Sequence, residues 1–254
     1  MNLQLIRNAT LKIVYAGKTI LVDPMLCKKE TMEPFVKGLE RNPIVDLTMS
    51  PEEVLKDVEA VLVTHSHPDH FDSIAAEMLP KSIPLFSTPT DEAFFADQHF
   101  NNVTVEDEET EWAGIRITRI EGQHGSGPIL SYMGMVSGYV LQAENEPTVY
   151  IISDSILIDN VKGAIGDFEP EVIVTNSGGA FFPGYEDFPV IMDNAQTVEV
   201  AQLAPKSNVV AVHLESIDFS RATRKGLREY ANGKGISDQQ LLIPADGETL
   251  TLTK

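Results

Sequence analysis

Three histidines and one aspartate lie within the six residues 65–70. This segment directly follows residues 60–64, a largely apolar run that is typical of a strand buried on both faces. Alternate side chains of an extended chain point the same way, so His65 and His67 can present their imidazoles to one point. Packing alone does not explain such a density of titratable groups, and the pattern predicts a metal site.

The continuation of this segment predicts two metal ions rather than one. Pro68 favours an extended conformation for the residue before it, and Asp69 and His70 lie beyond the resulting bend, where they can reach a second point nearby. Two adjacent divalent ions need about eight or more ligands, so the segment cannot complete the site alone. The remaining candidates are His124, Asp154 and His213.

Each of these three candidates stands at or just beyond the carboxyl end of a predicted strand, where loops that carry catalytic groups begin. A single histidine is more often a hydrogen-bonded core or surface residue than a ligand. However, five of the six histidines fall on the candidate positions, and the joint pattern favours ligation. His99 is the exception and is expected to be a surface or loop residue.

The pattern His-x-His-x-Asp-His, followed by a distant His, a distant Asp and a final His, resembles the metallo-β-lactamase superfamily over essentially the whole chain. The resemblance implies two ligand sets joined by one carboxylate. The first set is His65, His67 and His124, the second is Asp69, His70 and His213, and the bridge is Asp154. It also implies that Asp23 supports the site from behind.

A finer resemblance is to the L-ascorbate-6-phosphate lactonase-like branch of metal-dependent hydrolases. The residues that carry it are 7–10, 16–24, 175–180 and 212–216. It implies a lactonase-like enzyme acting on a phosphorylated sugar acid.

The order of predicted elements indicates a layered α/β fold. A hairpin is predicted from strands at 11–15 and 19–23, an irregular excursion at 24–49, and a helix with a capping box from Ser50. Strand and helix then alternate, the middle of the chain is rich in strands, and alternation resumes from residue 172. With the resemblance, this predicts one domain over residues 1–254, a four-layer αββα sandwich of two mixed sheets flanked by helices.

Composition limits the partners of the chain. A formal net charge of -19 disfavours nucleic acid and anionic lipid, so a small-molecule substrate is expected, and a homo-oligomer is left open. The acidic run 106–109 is expected to be a solvated loop. Cys27 is the single cysteine, so no disulfide within the chain or thiolate cluster is expected, and Cys27 should be a packing residue. No signal sequence or apolar span is evident, which favours the cytoplasm and no membrane partner.

Two bound ions would lower the pKa of a shared water from about 15.7 towards ~7 and so supply a metal-bridging hydroxide. Zinc is the first expectation for both ions, with manganese or iron as alternatives. Asp69 is the candidate catalytic residue, which would orient the hydroxide and carry its proton to the leaving group. Asp23 and Glu215 are the candidates for hydrogen bonds to the ligand imidazoles.

This chemistry favours hydrolysis of a small ester, lactone or phosphoester. A phosphodiesterase or nuclease, or a di-iron redox protein of the same fold, is the alternative. The aromatic stretch 180–189 could be a lid, a subunit interface or local packing. The basic cluster Arg221, Arg224, Lys225 and Arg228 could meet a substrate phosphate, although a solvated helix face is the simpler interpretation.

Overall fold

A computed structural model describes residues 1–105 and 108–254. Within these ranges, fourteen strands form two sheets of seven. In the order in which they pair, the strands of the first sheet are β14 (Thr249–Thr251), β1 (Asn2–Arg7), β2 (Thr10–Tyr15), β3 (Lys18–Val22), β4 (Ala60–Leu62), β5 (Leu85–Phe86) and β6 (Val103–Thr104). Those of the second sheet are β13 (Leu241–Leu242), β12 (Asn208–Val212), β11 (Val172–Asn176), β10 (Val149–Ile151), β9 (Ser137–Gln142), β8 (Ile115–Glu121) and β7 (Glu109–Trp112).

Both sheets are mixed. Strands β1 to β3 pair antiparallel and β3 to β6 pair parallel, whereas β7 to β10 pair antiparallel and β10 to β13 pair parallel. The predicted hairpin is confirmed, because Tyr15 pairs with Lys18 across a two-residue turn. Ala16 and Gly17 have φ of 49° and 73°, the left-handed values that match the twist of the two strands.

The helices lie outside the sheets. They are α1 (Pro51–Leu55), α2 (Ser73–Met78), α3 (Glu92–Asp97), α4 (Leu130–Met133), α5 (Asp159–Phe168), α6 (Asn194–Leu203) and α7 (Arg224–Gly233), with short 3-10 helices at Pro89–Asp91 and Gly127–Ile129. The predicted capping box is present in α1, where Ser50 Oγ accepts from the Glu53 N–H and the Glu53 carboxylate accepts from the Ser50 N–H. Among the described residues, no helix is long and apolar enough to cross a bilayer.

Successive residues of a strand point to opposite faces of its sheet and therefore pack into different apolar clusters. In β4, Ala60 and Leu62 belong to the core between the two sheets, whereas Val61 packs in the cluster that also contains Ala75 of α2 and Phe95 of α3. On the other sheet, Ile173 packs in the cluster that contains residues of α5, α6 and α7. This is the predicted four-layer arrangement of helix, sheet, sheet and helix.

The sequence pattern predicts neither strand β1 nor helix α5. Strand β1 pairs with β14 at the other end of the chain, a contact that no local pattern signals. Helix α5 contains two glycines, which weaken its helical pattern. Residues 24–49 form no helix or named strand, as predicted, and Met32 and Asn42 make an isolated bridge there. Residues 106 and 107 of the acidic run lie outside the described residues, and Glu109 is exposed as expected but begins strand β7 rather than lying in a loop.

Cys27 is 5% exposed, and burial raises the pKa of its thiol to about 11. At pH 8 the thiol should therefore react with a disulfide reagent at least about 100-fold more slowly in the folded protein than after denaturation, since the thiolate is the reactive form. The measurement is the rate of labelling by 5,5′-dithiobis(2-nitrobenzoate) with and without guanidinium. Equal rates would show that Cys27 is not a protected packing residue.

Candidate metal centre

The seven side chains proposed as ligands meet at one edge of the sandwich. Their ligand atoms fall into two groups, and within each group all the atoms lie within 4.8 Å of one another. The first group is His65, His67 and His124, and the second is Asp69, His70, Asp154 and His213. All seven side chains are buried except that of His67, which is partly exposed. Segments that lie far apart in the sequence therefore converge as the strand-end pattern predicts.

Asp154 lies between the two groups. Its Oδ2 is 3.2 Å from His70 Nε2 and 3.7 Å from His213 Nε2, both in the second group. The same oxygen is 3.6 Å from His124 Nε2 and 4.0 Å from His65 Nε2, both in the first group. One carboxylate oxygen thus faces both groups, which is the placement that the resemblance implies for a bridging ligand.

Hydrogen bonds behind the imidazoles fix the nitrogens that face inward. His124 Nδ1 lies 2.7 Å from the Val190 carbonyl oxygen, which can only accept, so Nδ1 carries the proton and Nε2 offers a lone pair. His70 Nδ1 lies 2.8 Å from the Asp23 carboxylate. The opposite nitrogen, His70 Nε2, is buried and makes no hydrogen bond among the described residues. A buried nitrogen aimed at carboxylates in this way fits a metal ligand.

Asp23 supports the cluster from behind, as the resemblance implies. Its carboxylate accepts from the Thr64 N–H at 2.8 Å and from the Thr64 hydroxyl at 2.8 Å, in addition to His70. Because the Thr64 proton points to Asp23, Thr64 Oγ1 is free to accept from His65 Nδ1 at 3.2 Å. Asp23 therefore orients one imidazole directly and a second through Thr64. Such outer partners hold ligands in the correct tautomer and orientation.

The expectation for Glu215 is wrong. Its carboxylate accepts hydrogen bonds from the Arg224 backbone N–H and from the Arg224 guanidinium at 2.7 Å, and within the described ranges it makes no hydrogen bond to a candidate ligand imidazole. The basic cluster on and before α7 is largely paired in the same way. Arg224 also contacts Asp246, and Arg228 pairs with Asp238 at 2.9 Å.

Burial and neighbouring charges shift the pKa values of the titratable groups of the site in opposite directions. Burial lowers the pKa of His65 well below its ordinary value and that of His124 to about 4. Burial opposes the charge of His70, but Asp154 and the other nearby carboxylates outweigh it and raise the pKa of His70 well above its ordinary value. For Asp69, burial is outweighed by the neighbouring imidazoles, and its pKa falls to about 2. The site thus holds ionised carboxylates that demand nearby positive charge, which divalent ions would supply.

Four residues other than glycine have left-handed backbone conformations at this edge of the sheets. Asn8, Asp23, Ser153 and His213 have φ of 58°, 45°, 70° and 60°. Residues other than glycine reach this region at a cost, and such strain tends to persist at functional sites. The carbonyl oxygen of Asn8 accepts from the His213 N–H at 2.9 Å, and its side-chain Nδ2 lies 3.2 Å from the Asp69 carbonyl oxygen. The turn between β1 and β2 therefore ties together two distant ligand segments.

Five of the seven candidate ligands line a cavity of about 190 Å³: His67, Asp69, His124, Asp154 and His213. Its walls come from five separate segments and are apolar: Phe35, Pro68, Met133, Ala180, Phe182, Val190, Ile191, Ile217 and Phe219. Phe219 is central to this wall, with its ring centroid 5.7 Å from that of Phe35 and 5.1 Å from that of Phe182. Among the described residues, no lysine or arginine lines the cavity. The stretch 180–189 thus contributes to the wall, while the lid and interface hypotheses for it stay predictions.

Comparisons with known proteins agree with this geometry. Residues 18–214 match the family model described as a β-lactamase superfamily domain. The chain is 35% identical over 263 residues to the UPF0173 protein YddR of Bacillus subtilis strain 168, covering 99% of this chain and 100% of that protein. The structure of a possible metal-dependent hydrolase from Veillonella parvula has a TM-score of 0.94 and 34% identity, with 99% of each chain covered.

A second solved structure, an isothiocyanate hydrolase from Delia radicum gut bacteria, has a TM-score of 0.92 and 36% identity, covering 100% of this chain and 99% of that one. The family model spans most of the sequence, and these relatives match it nearly end to end. The chain therefore belongs to the metallo-β-lactamase superfamily and is an enzyme of its metal-dependent hydrolase type.

Proposed function

We propose that this enzyme hydrolyses a small, uncharged, apolar electrophile with two divalent ions, held by the two ligand groups and bridged by Asp154. The observation that carries the proposal is that members of both ligand groups line one cavity whose other walls are apolar. When bound, the ions would lower the pKa of a water and so provide hydroxide at neutral pH. Zinc is the first expectation, and manganese or iron would suit the same nitrogen and oxygen donors.

Asp69 is the proposed catalytic residue. It lines the cavity, and its Oδ2 lies 3.1 Å from Nε2 of His213, a side chain of the same ligand group. Its carboxylate can accept a hydrogen bond from the attacking water and so orient it. In this proposal Asp69 also relays the proton of that water to the leaving group.

The size and lining of the cavity support a substrate class. An apolar protein cavity of about 150 Å³ holds benzene, so a cavity of about 190 Å³ suits a phenyl-sized group joined to a compact reactive group. A phosphorylated sugar lactone or a phosphodiester is disfavoured, because phosphate recognition normally uses arginine, lysine or backbone N–H groups, and no cationic side chain lines the described cavity. Apolar esters and lactones remain compatible with it.

An isothiocyanate with an apolar substituent is the substrate that we favour. The solved isothiocyanate hydrolase, at 36% identity, supports this choice, and the group N=C=S is compact, uncharged and electrophilic at carbon. Water adds to that carbon to give a thiocarbamate. The bond between nitrogen and the carbon that carries sulfur then breaks, and a proton is delivered to nitrogen. The products are an amine and carbonyl sulfide. The atoms of one water are thereby distributed between the two products.

A substrate panel tests the proposal. Protein loaded with Zn²⁺ or Mn²⁺ would be incubated with benzyl isothiocyanate, an apolar lactone, a thioester, a β-lactam, a phosphorylated sugar lactone and bis-p-nitrophenyl phosphate. We expect release of benzylamine from the isothiocyanate, and its loss in a His67→Ala variant. Turnover confined to the phosphorylated compounds would contradict the proposed substrate class.

Phe219→Ala should weaken the binding of a phenyl-bearing substrate. Aromatic pairs contribute about 0.5–1.5 kcal/mol each beyond their buried area, so KM for benzyl isothiocyanate should rise roughly 3–10-fold or more with a smaller change in kcat. Phe168→Ala is the matched control, because Phe168 packs beside the helices on the other face of the second sheet. Steady-state kinetics on both variants check this, and an unchanged KM in the Phe219 variant would remove Phe219 from the substrate pocket.

A further inference from the structure

Asn176 lies beside the bridging carboxylate. It is the last residue of β11, it is 2% exposed, and β11 pairs on either side with β10 and β12, the strands that lead to Asp154 and His213. Its side-chain Nδ2 lies 2.6 Å from Asp154 Oδ1. A carboxylate only accepts hydrogen bonds, so the amide must present its NH₂ group to it, and this chemistry fixes the orientation of the amide.

The contact leaves the two oxygens of Asp154 with different surroundings. Oδ1 is held by Asn176, whereas Oδ2 is the atom that faces nitrogens of both ligand groups at 3.2–4.0 Å. Without the amide, rotation about the Cβ–Cγ bond could turn both oxygens towards one group. Two metal ions can share a carboxylate most simply through a single oxygen that faces both of them. The hydrogen bond to Oδ1 therefore leaves Oδ2 as the oxygen that can contact both ions.

The backbone around Asn176 is held firmly. Ser177 N–H donates to the Val212 carbonyl at 2.9 Å, one residue before His213. At Gly178, a Cβ atom would lie 2.6 Å from the His213 carbonyl oxygen, closer than side-chain carbons approach, so the residue is restricted to glycine. The backbone next to Asn176 is therefore packed tightly against the segment that carries His213. A fixed backbone of this kind is what accurate positioning of the Asn176 amide requires.

We propose that Asn176 is a positioning residue, which holds Asp154 so that a single carboxylate oxygen faces both ligand groups and thereby sets the affinity and ligand field of the two-ion site. The inference rests on the proposed function, since it assumes that both groups bind ions. It assigns Asn176 no contact with substrate. Its effect acts through Asp154.

Cobalt binding tests this role with two variants and a matched control. Asn176→Leu keeps the approximate shape of the side chain and removes the donor without adding a charge, and Asn176→Ser is small enough to leave the packing unstrained. Asn208→Ser is the control, because Asn208 begins the adjacent strand β12 at its opposite end and donates to the Gln239 carbonyl. Each purified protein, freed of metal, would be titrated with Co²⁺ while its visible absorption and bound cobalt are measured.

We expect two cobalt ions per chain in the wild type and in the Asn208 variant. Both Asn176 variants should bind the weaker ion about 10–100-fold less tightly and show a changed absorption band, because outer partners of metal ligands have effects of this size. A purely structural role would lower the melting temperature without changing the spectrum of the bound ions. Variants with the wild-type affinity and spectrum would overturn the inference. A wild-type protein that binds fewer than two ions would contradict the proposed function itself.

Discussion

Asp154→Asn is expected to abolish binding of one metal ion and to reduce kcat/KM more than any substitution outside the ligand set. Asp154 Oδ2 faces four histidines, and the amide oxygen of asparagine would carry no net charge towards them. Mutation of residues that only support metal ligands typically lowers metal affinity ~10–100-fold. Loss of the carboxylate proposed to bridge the ions should therefore lower metal affinity more than ~100-fold. Metal analysis after dialysis, together with steady-state kinetics, measures both effects.

The matched control for this substitution is Asp238→Asn. Asp238 is an exposed partner of Arg228, and replacing it removes one negative charge from the chain without touching the site. Exposed ion pairs contribute about 0–1 kcal/mol, so metal content and activity should stay at the wild-type level. An Asp154 variant that kept two ions per chain would show that this carboxylate is not a shared ligand.

Asp23→Asn should have the second largest effect. The Asp23 carboxylate accepts three hydrogen bonds, two from Thr64 and one from His70. An asparagine would turn its NH₂ group towards at least one of these donors, and a buried donor left unpaired costs about 1–3 kcal/mol. We therefore expect a lower melting temperature and a loss of roughly 10–100-fold in metal affinity, because the tautomers of His70 and His65 are no longer fixed.

Two measurements distinguish these consequences of Asp23→Asn. Thermal unfolding of the metal-free protein reports the hydrogen bonds lost, and a metal titration of the folded protein reports the ligand orientation lost. A Thr64→Val variant keeps the size of the side chain but breaks the link from Asp23 to His65. It should show a smaller loss of metal affinity than Asp23→Asn. Wild-type metal affinity in both variants would contradict the supporting role of Asp23.

The proposed ligands could be located from the sequence because their signal is local and chemical. Residues 65–70 place several nitrogen and oxygen donors on one loop, and the strand-end positions of the others follow from apolar runs that stop at a polar residue. Parallel strands in one sheet then bring such ends to the same edge. The layered α/β fold was predictable for the same reason, since the alternation of strands and helices is visible along the chain.

The supporting residues and the cavity wall were not predictable in this way. Asn8 belongs to a motif noted for resemblance alone, and its contact with His213 spans almost the whole chain. Phe35 comes from the irregular excursion, and its ring meets that of Phe219, which also packs against Phe182; no periodicity in the sequence predicts these contacts. The apolar character of the cavity follows from these convergent side chains. It is the reason why we propose an uncharged, apolar substrate rather than a phosphorylated one.

The most direct test of the central claim is the metal content of the purified chain. Protein prepared without added metal, and again after loading with Zn²⁺ or Mn²⁺ and exhaustive desalting, would be assayed by elemental analysis against its amino-acid concentration. Two ligand groups bridged by Asp154 predict a ratio near two ions per chain, reduced by chelation together with activity. A folded protein that holds no ion after loading, or that keeps full activity after chelation removes its ions, would contradict the claim.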